Sequence, residues 1–201
     1  MHWIRKGTGA LTMYNGHLKN AVAPLLLALG NRLNYQDPRF LCSTKNRLLR
    51  LAGIDVGARA IISAGFQCIY PSNITLQDRV CLGHNNIIWA FHRIVIGSRT
   101  QTARDLLIIS GSHDVNSYEP LVNQEVLIGQ GCWIGARVTI LGGVRVGKGC
   151  VIGAGSIVKE SIPDWSIAVG SPARIIGTRK PTASIWSLFG AYSREDLNEI
   201  S

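Results

Sequence analysis

The chain has 201 residues, which suits one domain with short additions. Its 46% apolar share, 16% charged share and 22 glycines exclude a disordered chain and are ordinary for a β-rich solenoid. The net charge of +9 is compatible with an anionic ligand, an anionic membrane face or nucleic acid. The sequence contains no nucleic-acid-binding motif, so we predict no nucleic-acid partner.

The apolar runs and the cysteines of the sequence indicate the cellular compartment of the protein. The longest apolar run, residues 21–29, is interrupted by Pro24 and is too short to span a bilayer. It also lacks the layout of a signal peptide, and we therefore expect a cytoplasmic protein. Five cysteines without a CxxC spacing argue against both a zinc site and a disulfide framework. Cys132 and Cys150, eighteen residues apart, are expected to stack as free buried thiols.

The first region, residues 1–55, lacks the repeat described below. His17–Leu33 has loosely helical spacing, and Asn34–Pro38 is predicted to be a loop. Thr44–Ala52 predicts a second helix, with Thr44 as its N-cap and Gly53 as its stop. We expect this region to be a helical cap over the open end of a solenoid, as solenoids require. The alternative is a basic surface that makes peripheral contact with an anionic membrane.

A hexapeptide repeat runs from Ile128 to Val158 and organises the rest of the chain. A β-branched aliphatic opens each unit, and a small or β-branched residue follows four positions later. A period of six excludes an α-helix and predicts an all-β solenoid, a parallel β-helix with three hexapeptides in each triangular coil. Weaker hexads from Val56 to Ile108 predict about three more coils, in registers that shift by two residues. We assign residues 56–178 to this β-helix and residues 179–201 to a tail.

The repeat is broken by a polar segment, residues 111–121, which we expect to be a loop extruded from the coil. Loops on a rigid scaffold commonly carry the chemistry of a protein. His113 lies in this loop, where a neutral imidazole can take a proton from an alcohol or an amine. Beyond the repeat, Pro163 and Pro172 are expected to end the regular coil. A short helix is predicted after Ser193.

Two groups of residues suggest a thioester-linked donor. Ala136 and Ala154 are one coil apart and can leave a shallow groove for a pantetheine arm, although small residues are equally expected at tight turns. Four basic residues near the end of the coil can meet the phosphates of coenzyme A, or can be ordinary solvated charges. They are Lys159, Arg174, Arg179 and Lys180.

Several segments resemble the hexapeptide-repeat acyltransferases, most closely the colanic acid and exopolysaccharide O-acetyltransferases, which are related to the galactoside and maltose acetyltransferases. The resemblance spans roughly residues 45–180 and is carried by Trp133–Val158, Val169–Arg174, Gly111–Asp114 and Tyr70–Thr75. It implies a left-handed β-helix, a homotrimer and acetyl-CoA bound between neighbouring subunits. It also implies that His113 is the general base.

The same resemblance implies roles for further residues. Trp133 would wall the cleft, and the amides of the turn containing Gly135 and Ala136 would stabilise the oxyanion. Asn85 or Asn86 would contact the acceptor together with Asp114, and Glu119 or a backbone carbonyl would orient His113. Three segments depart from the family pattern, namely Lys159–Ser161, Leu141–Gly143 and Trp89–His92.

The sequence therefore predicts direct transfer of an acetyl group from acetyl-CoA to a hydroxyl of a sugar or polysaccharide precursor, without a covalent acyl-enzyme. The alternatives are an amine, amino acid or antibiotic acceptor, and a trimeric scaffold without turnover. A third class, the γ-type carbonic anhydrases, shares the solenoid and binds a metal through three histidines. The spacing of His84, His92 and His113 does not resemble theirs, so we predict no metal.

Overall fold

The computed structural model describes residues 22–31, 39–114, 116 and 121–180. The predicted loop Asn34–Pro38, the proposed orienting residue Glu119 and the helix predicted after Ser193 lie outside these residues.

The described part contains two helices and nineteen strands in the following order. Helix α1 covers residues 22–31, and helix α2 is Arg39–Leu51. A 3-10 helix covers Pro71–Asn73. The strands are β1 Asp55–Val56, β2 Ile61–Ile62, β3 Gln67–Ile69, β4 Ile74–Leu76, β5 Cys81–Leu82, β6 Ile87–Trp89, β7 Ile94–Ile96, β8 Gln101–Thr102, β9 Leu107–Ile109, β10 Gly111–His113, β11 Leu121–Asn123, β12 Val126–Ile128, β13 Trp133–Ile134, β14 Thr139–Ile140, β15 Arg145–Val146, β16 Val151–Ile152, β17 Ile157–Val158, β18 Ser166–Gly170 and β19 Ala173–Thr178.

The strands form a three-sided prism of about five turns, which confirms the predicted parallel β-solenoid. Face A has the order β1-β4-β7-β12-β15, face B the order β19-β18-β16-β13-β8-β5-β2, and face C the order β17-β14-β9-β6-β3. Each coil crosses the faces in the order A, B, C. Coil 1 contains β1–β3, coil 2 β4–β6, coil 3 β7–β9, coil 4 β12–β14 and coil 5 β15–β17. The hexad aliphatics point inward and form one continuous buried core along the axis.

The length of a coil changes along the chain, and this explains the shifts of register in the sequence. Thr75 pairs with Asp55 and Val95, twenty residues away on either side, whereas Leu127 pairs with Arg145, eighteen residues away. The additional residues lie at the corner between faces C and A, where coil 1 ends in the 3-10 helix. There Asn73 Nδ2 donates to the Ala90 carbonyl at 2.8 Å and ties the corners of two coils together.

The first coil presents carbonyls that have no preceding coil to pair with. In coil 2 the carbonyls of Leu76, Val80 and Asn86 accept backbone amides of coil 1. The equivalent carbonyls of coil 1 accept side-chain donors from the helices instead. Arg50 Nε and Asn46 Nδ2 donate to the Val56 and Ala60 carbonyls at 2.8 Å, and Asn31 Nδ2 donates to the Phe66 carbonyl at 2.7 Å. The helices thus satisfy buried acceptors that would otherwise lose their hydrogen bonds.

We expect Asn46→Leu to lower the free energy of unfolding by about 1–3 kcal/mol, because it leaves the buried Ala60 carbonyl without its donor. Chemical denaturation measures this loss. Arg47→Leu is the matched control, since Arg47 is the next residue of the same helix and is exposed. Equal stability of the two variants would show that the Asn46 contact does not stabilise the solenoid.

Two predictions about the ends of the solenoid were wrong. Helix α2 begins at Arg39, so Thr44 lies inside it and is not an N-cap. The start was predicted from the N-cap preference of threonine, but residues 39–43 before Thr44 are helical as well. Pro163 does not end the coil, because β18 still pairs in parallel with β16. The chain turns back only at Pro172, into the antiparallel strand β19.

The predicted cysteine stack is confirmed, since Cys132 and Cys150 are buried, free and one coil apart. A hydrogen bond between the two thiols, together with burial, raises the pKa of Cys132, and the same bond lowers the pKa of Cys150. Burial also raises the pKa of Cys68 to about 12. Cys68 and Cys132 are therefore neutral thiols at physiological pH and not nucleophiles.

Candidate active site

The extruded segment is an antiparallel hairpin, and its two ends are joined by a hydrogen bond where it leaves the coil. Strand β10 pairs with β11, and His113 is opposite Leu121. The hairpin leaves the coil after Ser110 and rejoins it at Gln124, whose amide donates to the Ser110 carbonyl at 2.9 Å. The Ser110 hydroxyl is buried and accepts the His92 amide at 2.8 Å. These contacts fix where the hairpin projects from the corner between faces C and A, hereafter the C–A corner.

His113 is the last residue of β10 and is exposed, so its imidazole is accessible to a substrate. The adjacent Asp114 is half-buried, and its Oδ1 accepts the Asn116 amide at 2.8 Å. This contact shapes the turn after the strand. The arrangement offers one exposed imidazole on a rigid base, which suits a general base better than a buried structural histidine.

The predicted donor-binding residues lie at a different corner, between faces B and C, hereafter the B–C corner. Ala136 and Ala154 occupy equivalent positions there in coils 4 and 5, and the Gly155 amide donates to the Ala136 carbonyl at 2.8 Å. A Cβ at Gly135 would lie 2.6 Å from the Ala154 nitrogen, so this close stacking requires glycine. Trp133 is partly exposed on the adjoining edge of face B. The corner here carries only small side chains beside an indole ring, and this column of small residues is hereafter called the groove.

The groove ends at the turn between β18 and β19. The Gly170 amide donates to the Ser156 hydroxyl at 3.0 Å, which places that turn below Ala154. Arg174 follows in β19, and its guanidinium is 3.5 Å from the Glu160 carboxylate. Lys159 is 3.7 Å from the same carboxylate. Arg174 therefore lies near the lower end of the groove, whereas Lys159 and Glu160 follow β17 and lie across face C, toward the C–A corner.

The structure does not bring all four predicted phosphate-binding residues together. Arg179 Nη1 donates to the carbonyls of Gly131 and Gly149, both at 3.0 Å, at the corner between faces A and B. Lys180 follows it in the chain and is exposed. The gathering predicted for these basic residues is wrong for Arg179 and Lys180, because β19 runs antiparallel to β18 and carries them to a different corner of the prism.

The upper part of the B–C corner is polar, and most of this feature was missed in the sequence. Asn85 in coil 2 donates through Nδ2 to Asp105 Oδ1 in coil 3 at 3.3 Å. Asp105 Oδ2 is also 3.0 Å from Arg104 Nε. The signal in the sequence was the twenty-residue spacing of Asn85 and Asp105, which is one coil in this half of the chain. Asn86, by contrast, is buried and bonds the Leu106 amide, so its role is structural.

Within one chain His113 and the small-residue groove are on opposite edges of face C. That face carries exposed apolar side chains on its outer side. Ile69 and Ile157 are each 37% exposed there, and Trp89 is 44% exposed. The outward positions of face A are mixed in character and include the charged Asp55 and Arg145. The functional candidates of one chain are thus separated by an apolar surface.

No three His, Cys, Asp or Glu side chains in the described ranges are grouped so as to hold a metal ion. His84 and His92 lie at the B–C and C–A corners respectively.

No helix within the described parts of the chain has both the length and the apolarity needed to cross a membrane.

Comparison with known proteins identifies hexapeptide-repeat relatives, in agreement with the observed β-solenoid. The family described as bacterial transferase hexapeptide (six repeats) matches residues 125–160. The putative colanic acid biosynthesis acetyltransferase WcaF of Escherichia coli K12 is 32% identical over 147 residues, which are 73% of this chain and 81% of that protein. The chain belongs to the hexapeptide-repeat acyltransferases. This agrees with the resemblance in the sequence.

Other relatives of this acyltransferase differ in how far the likeness extends. The galactoside O-acetyltransferase of Lactococcus lactis is 34% identical over 111 residues, which are 53% of each chain. The solved maltose O-acetyltransferase of Clostridium difficile 630 superposes with a TM-score of 0.71 at 26% identity, over 81% of this chain and 87% of that one. A hexapeptide-repeat acetyltransferase of Vibrio cholerae, solved with acetyl coenzyme A, has a TM-score of 0.72 at 21% identity, over 89% and 94% of the two chains, and shares the fold.

Proposed function

We propose that this acyltransferase transfers the acetyl group of acetyl-CoA to a hydroxyl of a saccharide, with His113 as the general base. The observation that carries the proposal is the exposed imidazole of His113 on a hairpin with a fixed base, in a solenoid that also has the groove at its B–C corner. The relatives named as galactoside, maltose and colanic acid biosynthesis acetyltransferases support a saccharide acceptor.

The donor is assigned to the B–C corner. The pantetheine arm lies along the column of Ala136 and Ala154, where side chains are too small to obstruct it. Trp133 walls the upper end of the groove, and the amides of the turn containing Gly135 face the thioester carbonyl. Arg174 meets the phosphates at the lower end through charge-assisted hydrogen bonds.

The reaction is a direct acyl transfer. His113 removes the proton of the acceptor hydroxyl as the oxygen attacks the thioester carbonyl. The tetrahedral oxyanion is stabilised by backbone amides, and its collapse breaks the carbon–sulfur bond. The leaving thiolate of coenzyme A takes the proton back from the imidazolium. The products are an O-acetyl ester and free coenzyme A, and His113 returns to its neutral form.

The site is completed by a second copy of the chain. His113 and the groove of one chain are separated by face C, so the chain needs a neighbour to unite them. If three prisms place the apolar face C around a threefold axis, the C–A corner of each copy meets the B–C corner of the next. Burial of Ile69, Trp89 and Ile157 stabilises that contact. Hexapeptide-repeat acetyltransferases are typically trimers, and the apolar face supports the same assembly here.

Thiol release from acetyl-CoA, measured with a panel of acceptors, tests this function. The panel contains methyl β-galactoside, maltose, uronic acids and a set of primary amines. We expect saccharide-dependent release above the rate of acetyl-CoA hydrolysis. Release with amines alone would reassign the acceptor class. Tight acetyl-CoA binding without release from any acceptor would favour a scaffold, and absence of acetyl-CoA binding would overturn the proposal.

A further inference from the structure

We infer that Asp105 is a positioning residue, which holds the amide of Asn85 in place to recognise a hydroxyl of a saccharide acceptor. This inference rests on the proposed function. It adds Asp105, a residue outside the sequence motifs, as a support for the acceptor site. The two residues lie at the B–C corner, in coils 2 and 3. The hairpin with His113 leaves the solenoid at the end of coil 3, so in the proposed trimer the pair of one copy lies level with the hairpin of the next copy. The groove for the donor begins one coil lower, at Ala136.

The contacts form a short chain that fixes Asn85 from two sides. Asn85 Nδ2 donates to Asp105 Oδ1 at 3.3 Å, and Asp105 Oδ2 is held by Arg104 Nε at 3.0 Å. On the other side, the Asn85 side chain lies directly over Gly65. A Cβ at Gly65 would collide with Asn85 Oδ1. Glycine in coil 1 therefore makes the space that Asn85 occupies.

This arrangement fixes which atoms of Asn85 face the substrate. An amide group has two N–H donors and one acceptor oxygen. The Asp105 carboxylate accepts a hydrogen bond from one of these two N–H groups. This contact fixes the orientation of the amide, with its nitrogen toward Asp105. Asn85 Oδ1 is turned toward Gly65 of coil 1, and Asn85 as a whole is exposed. The second N–H can therefore donate to the oxygen of a sugar hydroxyl, which accepts a hydrogen bond.

The backbone conformation of the corner allows glycine substitutions that remove a side chain without straining the backbone. Asn85 and Asp105 have φ values of 57° and 61°, in the left-handed region, and Gly65 occupies the same position of coil 1 at 78°. Asp105→Gly therefore removes the carboxylate without adding backbone strain. Asp105→Asn keeps an oxygen that can accept the Asn85 N–H and also tolerates this conformation.

Arg59→Gly is the matched control. Arg59 has a φ of 56° at the corner between faces A and B, and its guanidinium is 3.1 Å from the half-buried Asp78 carboxylate. The substitution makes the same backbone change and removes the same kind of surface ion pair, away from the candidate site.

The experiment is a calorimetric titration of maltose and of methyl β-galactoside into the whole protein, with and without saturating coenzyme A. We expect Asp105→Gly to weaken sugar binding about three- to tenfold, as for loss of one hydrogen bond, with Asp105→Asn close to wild type. Asn85→Gly and the double variant Asn85→Gly/Asp105→Gly should bind equally weakly, because Asp105 acts only through Asn85. Affinity for coenzyme A, the melting temperature and the Arg59→Gly control should not change.

Three results would overturn the inference. Unchanged sugar affinity in Asp105→Gly would show that the contact positions nothing. Independent losses that multiply in the double variant would show that Asp105 does not act through Asn85. Absence of binding of either sugar to the wild-type protein would show that the corner is not a saccharide site. Failure of the proposed function is seen separately, as absence of acetyl-CoA binding or of thiol release from every acceptor.

Discussion

His113→Ala is expected to lower kcat for acetyl transfer by about 10²- to 10⁴-fold, the range that a positioned general base contributes. His113 is exposed at the end of β10, so its removal leaves neither a cavity nor a buried unpaired group. The KM for acetyl-CoA should stay within about twofold, because uniform binding of the donor is untouched. The measurement is saccharide-dependent thiol release, corrected for hydrolysis of acetyl-CoA.

His92→Ala is the matched control for this variant. His92 is also an exposed histidine at the C–A corner, one coil earlier, and its backbone amide rather than its ring contacts Ser110. We expect its rate to match that of the wild type. If His92→Ala lost activity and His113→Ala kept it, the base would be His92. If both variants kept it, no imidazole at this corner would be the base.

The core of the fold could be predicted from the sequence, because a period of six admits few alternatives. Ile134, Ile140 and Val146 recur at a spacing that only a three-sided coil can bury on one side. The same spacing set the stack of Cys132 on Cys150. Each of these inferences depends on neighbours one coil away, and a repeat states that distance directly in the sequence.

Contacts that break the repeat could not be predicted in the same way. Asn46 donates to Ala60 across the open end of the prism, and no periodicity connects a helix residue with the carbonyl that it satisfies. Lys45 is charged, so the sequence suggests an exposed position, whereas the residue is buried on the inner face of that helix. Likewise, the antiparallel turn at Pro172 carried Arg179 to a different corner, although the sequence placed it beside Arg174.

The sequence predicts individual candidate residues of the site but not how they are arranged. His113 stood out because it lies where the repeat stops, and Ala136 and Ala154 because they follow the glycine of their hexads. Their positions at opposite edges of face C depend on how many residues each face uses. That count appears only when the strands are paired, and it places the two groups of candidate residues on opposite edges of face C.

A site shared between copies makes a quantitative prediction about mixed trimers. Ala136→Leu/Ala154→Leu fills the groove but keeps His113, whereas His113→Ala keeps the groove but lacks the base. Each variant alone should be nearly inactive. In a cyclic trimer each site takes the hairpin of one copy and the groove of the next. Any trimer with both variants then has one intact site, and purified mixed trimers should recover about one third of the wild-type rate.

The experiment needs co-expression of the two variants with different affinity tags and two successive purifications, so that only mixed trimers are assayed. Ala58→Leu is the control for the bulky residues, since Ala58 is an exposed alanine at the corner between faces A and B, away from the groove and from Asn85. It should keep full activity. Recovery in the mixed trimers requires that His113 acts across a subunit boundary, because no single chain in them has both parts. Mixed trimers as inactive as the parents, with the Ala58→Leu control active, would mean that each chain builds its own site. The contact between the apolar C faces would then stabilise the trimer without bringing the C–A corner of one copy to the B–C corner of the next.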